Sequence, residues 1–145
     1  MTDASREEPQ VPDMPSASPG GEAYDWYHRG LALLESGNPE AAAQLLEHAV
    51  TAQPNARSAQ EALARAQFDA RRYEAASRTF RSITESDPSD HYARFGLGLA
   101  LYRLGQTEAA VEHLALAEAM RPDIRHYAQA LRDARATLRI RSEGS

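Results

Sequence analysis

The chain contains no cysteine and no lysine, only one tryptophan, and an aromatic content of 7%. Without cysteine there are no disulfides, no thiol nucleophile and no thiolate metal site. All 16 cationic side chains are arginines, which together with the many alanines points to a GC-rich, bacterial source. No stretch approaches the roughly 20 apolar residues that span a bilayer. The first residues carry Asp3, Glu7 and Glu8 and no apolar run, so neither a membrane span nor a secretory signal is expected, and a cytoplasmic location follows. The five histidines, His28, His48, His91, His113 and His126, show no His-Glu-x-x-His spacing, so no metal site is expected. Gly96-Leu97-Gly98 lies in a predicted helix and lacks the Lys-Ser/Thr of a phosphate-binding loop. No catalytic residue, no cofactor and no small-molecule substrate are expected: the protein reads as a non-enzyme.

What the chain does have is a period. Pro54, Pro88 and Pro122 are 34 residues apart, as are Gly30, Ala64 and Gly98, Ala42, Ala76 and Ala110, and Leu46, Phe80 and Leu114. A repeat of this length is one supersecondary unit that buries too little by itself and is stable only when stacked on its neighbours. Each unit shows apolar residues at helical spacing, a break, and a second helical run, so each is a helical hairpin. In Gly37-Asn38-Pro39-Glu40 the glycine suits a helix end, Asn38 is placed to cap the next helix, Pro39 suits its first turn and Glu40 complements its positive end. Helices are predicted near 23–36, 39–52, 57–70, 73–86, 91–104 and 107–120. The small residues Gly30, Ala64 and Gly98 let paired helices approach closely, and Ala42, Ala76 and Ala110 do the same from the partner helix.

These anchors resemble the tetratricopeptide repeat. Trp26, Gly30, Gly37, Ala42, Leu46, Ala49 and Pro54 mark the first unit (23–56), Ala64, Ala76, Phe80 and Pro88 the second (57–90), and Leu97, Gly98, Gly105, Ala110, Leu114, Ala117 and Pro122 the third (91–122). Gln60 and Arg94 stand where the first unit has its aromatic, Arg71 replaces the inter-helix glycine, and Ile83 replaces the small alanine. The resemblance implies an all-α, right-handed superhelical solenoid of three helix-turn-helix hairpins with a terminal capping helix, and a protein that binds other proteins.

The flanks differ in character. Residues 123–141 continue as an amphipathic helix with Ile124, Tyr127, Leu131, Ala134 and Leu138 on one stripe, suited to covering the open apolar end of the array. Residues 142–145 are expected to be a disordered end. Residues 1–22, rich in proline, serine, glycine and acid, lack an apolar stripe that could offset the entropy of ordering and are expected to be a disordered tail. Charge is uneven: residues 1–22 hold five acids and one arginine, residues 121–145 three acids and six arginines. Arg121, Arg125, Arg132, Arg135, Arg139 and Arg141 could serve an acidic partner, but six arginines over five turns cannot all share one side. The overall pI near 5.5 disfavours nucleic acid.

The resemblance further implies that the first helix of each hairpin lines a concave face. In the first repeat that stripe is Tyr24, Tyr27, His28, Leu31 and Leu34, with Glu35 beside it. In the second it is Ser58, Glu61, Arg65 and Phe68, with Glu61 and Arg65 placed to pair at i,i+4. In the third it is Tyr92, Phe95, Leu99 and Tyr102, with Gly96 facing the groove so that a ligand can approach. The expected surface is two aromatic lobes around a polar saddle, suited to apolar anchors of a peptide or amphipathic helix. Related domains that clamp the terminal carboxylates of chaperone tails present lysine, asparagine and arginine at groove positions. Here those positions are Tyr27, Leu31, Ala62, Tyr92 and Gly96, so that clamp is missing. Self-association through the aromatic face or the solenoid end is the second reading, and contact with an acidic partner or nucleic acid through the arginine-rich cap the third.

Overall fold

A computed structural model describes residues 19–144, which form seven helices: α1 (Pro19–Glu35), α2 (Pro39–Ala52), α3 (Arg57–Asp69), α4 (Tyr73–Ser86), α5 (His91–Arg103), α6 (Thr107–Met120) and α7 (Arg125–Glu143). The six repeat helices fall within a residue of their expected positions at almost every end. Of the span 1–22 expected as a tail, residues 19–22 belong to α1, and residues 1–18 lie outside the described part. At the other end α7 runs past 141 to Glu143.

Local chemistry accounts for the punctuation. Inside each hairpin the first helix closes with the same pair of backbone bonds: Gly37 to Leu34 and Asn38 to Leu33, Arg71 to Phe68 and Arg72 to Gln67, Gly105 to Tyr102 and Gln106 to Leu101. This six-to-one and five-to-two pattern requires a left-handed residue just past the helix. Gly37 and Gly105 adopt it with φ 87° and 83°, and Arg71 adopts it with φ 65° despite its side chain. Asn38 does not cap α2 through its side chain; its Nδ2 instead donates to Ser36 Oγ at 3.1 Å. Between hairpins a proline turn recurs, closed by Ala56 to Gln53, Asp90 to Asp87 and Ile124 to Arg121, with Pro54, Pro88 and Pro122 at its second position.

Consecutive helices pack in series, and α1 also touches α3, α3 touches α5, and α5 touches α7, whereas no such contact links α2, α4 and α6. The odd-numbered helices are therefore the more closely spaced layer, and the array curves with them on its inner side. The seams follow the small-residue rule. A Cβ on Gly30 would come within 2.6 Å of Leu46 Cγ, and one on Gly98 within 2.7 Å of Leu114 Cγ. Ala64, Ala76 and Phe80 occupy the matching seam of the second hairpin. At the end of the array, Tyr127, Leu131 and Ala134 of α7 pack into a common core with Phe95 and Leu114, while Ile124 and Leu138 are half-buried.

Candidate interaction groove

The inner layer carries three clefts that adjoin one another. The first, of about 150 Å³, lies between α1 and α3 and includes Tyr24, Tyr27, Ser58 and Ala59. The second, of about 330 Å³, shares Tyr27 and Ser58 with it and adds Leu31, Glu61, Ala62, Arg65 and Tyr92. The third, of about 210 Å³, shares Arg65 and Tyr92 with the second and is walled by Phe68, Asp69, Phe80, Phe95, Gly96 and Leu99. Shared residues make them one trough running from α1 across α3 to α5.

Most of the expected stripe faces this trough, with informative exceptions. Tyr24 is 64% exposed and its ring meets His28 at 4.1 Å between centroids. Tyr27 and Leu31 are half-buried and line the trough, whereas His28 is exposed and lines none of the three clefts. Leu34, by contrast, is 6% exposed and belongs to the core of the first hairpin with Leu46 and Leu63. Phe95 is also core: only 8% exposed, it stacks on Tyr127 of α7 at 4.3 Å and 20°, leaving one edge in the third cleft. Tyr102 is half-buried and its hydroxyl is 2.7 Å from Thr137 Oγ1 of α7, so it ties down the capping helix. Phe68 lies edge-on to Tyr73 beneath the guanidinium of Arg103, 5.5 Å from its ring centroid, which leaves one side of the ring for the cleft. Leu99 is half-buried at the far wall.

Gly96 has a different role from the expected one. A Cβ there would lie 2.3 Å from Phe80 Cζ, so the group that approaches it is the Phe80 ring, reaching over from α4. Phe80 thereby forms the floor of the third cleft, edge-on to Tyr92 at 6.0 Å. Neither Phe80 nor Asp69 was in the expected stripe. The pointer to Phe80 was present in the period, since Leu46 and Ala62, Phe80 and Gly96, and Leu114 and Ala130 are the same pair of positions in successive repeats.

The saddle also departs from the expected pairing. Arg65 Nε meets Asp69 at 3.8 Å, not Glu61. Glu61 lies instead beside Asp90, which caps α5 by accepting from the Ala93 amide at 2.9 Å and pairs with Arg57 at 3.3 Å. Partial burial, with the hydrogen bond and repulsion from Asp90 next, pushes the Glu61 carboxyl up to about 7, against a smaller opposing pull from Arg57. Near neutrality Glu61 is therefore balanced between its protonated and ionised forms. Burial raises the Tyr92 phenol, which keeps it a hydrogen-bond donor at the mouth of the trough. Among the described residues no three His, Asp or Glu side chains are grouped to hold a metal ion, and no helix is long and apolar enough to cross a membrane.

A solenoid of stacked helical hairpins with a lined inner face is the architecture of a protein-interaction scaffold, a class in which catalysis is atypical. A family model described as tetratricopeptide repeat matches residues 27–76 and again 61–124, and the chain belongs to that family. Solved structures share the fold. MamA residues 41 to the end, from Desulfovibrio magneticus RS-1, superpose with a TM-score of 0.76 at 23% identity, over 79% of this chain and 65% of that one. The first such domain of human RPAP3 superposes at 0.79 with 17% identity, over 88% and 100%. The second, in complex with the HSP70 peptide SGPTIEEVD, superposes at 0.75 with 19% identity, over 81% and 98%. The chain thus spans about 65% of the length of the MamA chain. No curated protein sequence matches it.

Proposed function

We propose that the protein is a non-catalytic interaction module, an adaptor or scaffold, whose inner trough holds an apolar segment of another protein, either an amphipathic helix or an extended peptide. The observation that carries this reading is the cleft between α3 and α5. There Tyr92, Phe68 and Leu99 surround a floor of Phe80 over Gly96, a pocket for one large apolar side chain with a phenol at its rim. Tyr24, Tyr27 and Leu31 offer a second anchor point along the same trough. The RPAP3 domain with its HSP70 peptide supports the idea that this architecture can hold a peptide. That peptide ends in Glu-Glu-Val-Asp, whereas the trough here has Tyr27, Leu31, Ala62, Tyr92 and Gly96 where a carboxylate clamp would carry lysine, asparagine and arginine. Apolar anchoring therefore fits better than recognition of an acidic terminus. A cytoplasmic, bacterial setting belongs to the same proposal.

A displayed random-peptide library panned against the wild type and against the Tyr27→Ala/Tyr92→Ala/Leu99→Ala variant tests it. Enriched peptides should share a large apolar anchor and lose binding to the variant while its circular dichroism stays helical. No enrichment, or enrichment that a folded variant retains, overturns the proposal.

A further inference from the structure

The middle cleft joins the two apolar ends of the trough. It shares Tyr27 and Ser58 with the cleft on the α1 side, and Arg65 and Tyr92 with the cleft on the α5 side. A segment that fills both ends must therefore lie across it. Two charged side chains line it, Glu61 and Arg65, among Tyr27, Leu31, Ala62 and Tyr92. Arg65 is held by Asp69 at 3.8 Å. Glu61 is half-buried and has Asp90, from the start of the next hairpin, as its hydrogen-bond partner.

The charges around Glu61 are committed to one another. On α3, Arg57 pairs with Asp87 at 2.5 Å and with Asp90 at 3.3 Å. Asp90, only 8% exposed, accepts from the Ala93 amide through one oxygen and meets Arg57 through the other. Asp87 also accepts from the amide and the hydroxyl of Ser89. His91, next to Asp90 on α5, is engaged by the Tyr127 hydroxyl at 2.8 Å and by Arg121 at 3.2 Å. The facing group from α1 is the Tyr27 phenol and from α5 the Tyr92 phenol, the latter raised by burial so that it stays a donor. Among the described residues α2 and α4 contribute nothing to this cleft, and no histidine lines any of the three. Glu61 is thus the carboxyl of the trough that is paired with no cation. Partial burial, and Asp90 after it, already bring its protonation to about neutral pH against a smaller pull from Arg57.

We propose, resting on the trough as the binding surface, that Glu61 couples binding to a proton: an apolar segment laid across the trough favours the neutral Glu61 carboxyl, so that binding draws a proton from solvent and weakens as pH rises. Solvation is the physical reason. Glu61 keeps part of its water in the free protein, and a segment bridging the two apolar ends removes it, which disfavours the charged form. Neither nearby guanidinium is free to compensate, since both are held by aspartates. Linkage makes the effect reciprocal: the factor by which the segment raises the proton affinity of Glu61 is the factor by which the proton raises affinity for the segment. The carboxyl is raised further in the complex than in the free protein. Affinity is therefore greatest where Glu61 is already protonated, and it falls as pH rises through neutrality and above. A partner held in this way is released by a rise in pH.

The test uses a displayed peptide library free of acidic, basic, histidine, cysteine and tyrosine residues, so that the ligand itself does not titrate, panned at pH 6 against the full-length protein. Enriched sequences are synthesised with blocked ends, and calorimetry gives their affinities at pH 6 and pH 9 for the wild type and for Glu61→Gln. The wild type should bind about five- to tenfold more weakly at pH 9, the counterpart of a tenfold rise in the proton affinity of Glu61. At pH 7.5, titrations in buffers of different ionisation enthalpy should show uptake of roughly half a proton per complex. Glu61→Gln should bind with one affinity at both pH values and take up no proton. If no enriched peptide is lost by the Tyr27→Ala/Tyr92→Ala/Leu99→Ala variant, the trough is not the binding surface and the proton coupling falls with it. Peptides that this variant loses, but whose affinity for the wild type is level or rises from pH 6 to pH 9, overturn the proton coupling alone. A pH dependence that Glu61→Gln keeps in full does the same.

Discussion

The Phe80 ring rests on Gly96 so closely that a Cβ on Gly96 would fall 2.3 Å from Phe80 Cζ. The first and second hairpins meet at the same pair of positions through Leu46 and Ala62, and the third meets α7 through Leu114 and Ala130. Large-with-small is exchanged for larger-with-smallest at the middle junction, which conserves the combined volume.

Gly96→Ala alone should therefore destabilise the fold by about 1–2 kcal/mol, overpacking outweighing the gain in helix propensity. Phe80→Leu alone should cost a similar amount by leaving a gap. The double variant recreates the pairing of the other two junctions and should recover most of the loss, a coupling of at least about 1 kcal/mol in a denaturation cycle. Additive losses would show that the two residues do not share one space.

Arg71 holds a left-handed φ of 65° at the position where the other two hairpins have Gly37 and Gly105. Arg71→Gly should raise stability by roughly 1 kcal/mol, since the strain of a Cβ there exceeds glycine's extra backbone entropy. Urea denaturation midpoints would check it, and an unchanged or lower midpoint would count against strain at this turn.

The Glu61 carboxyl stands at about 7, chiefly through burial and then through Asp90. A carboxyl raised in the folded state favours folding while protonated. Its contribution is fully present below its unfolded value and is lost as pH rises through about 7. Glu61→Gln keeps the neutral form at every pH. It should match the wild type near pH 4 and exceed it at pH 8 by about 1 kcal/mol, solvent screening holding the effect well below the full shift. Asp87 and Asp123 are lowered by their hydrogen-bond partners and act in the opposite sense, in a separate window at acid pH. Melting curves of both proteins at pH 4 and 8 decide the matter, and parallel pH profiles would contradict the raised carboxyl.

Phe95 and Tyr127 stack at 4.3 Å, and Tyr127 also reaches His91 Nδ1 at 2.8 Å. Phe95→Ala should cost about 3–5 kcal/mol and loosen α7, whereas Tyr92→Ala at the exposed rim should cost under about 1 kcal/mol. Thermal melts of the two variants, with hydrogen exchange across residues 125–143, would distinguish a core aromatic from a rim aromatic. Equal, small losses would return Phe95 to the groove surface.

The repeat, the helices and their seams were legible in the chain because each depends on neighbours at fixed sequence offsets. Gly30 opposite Leu46 and Gly98 opposite Leu114 need only the 34-residue period and helical geometry to be foreseen. The proline turns and the left-handed position at Gly37 are likewise local. The trough was legible as a stripe on α1, α3 and α5, but membership of that stripe was not. Leu34 and Phe95 carry the same apolar character as Leu31 and Tyr92, and helical spacing alone cannot say which of them a neighbouring helix covers. That was decided by stacking: Tyr127 of α7 covers Phe95, Thr137 takes the Tyr102 hydroxyl, and Phe80 fills the space above Gly96. The saddle charges were settled the same way, since Asp90 reaches Glu61 only when α5 is laid against α3. Sequence by itself thus determined the unit and its order along the chain, while the angle and closeness at which successive units pack decided which side chains remain available to a partner.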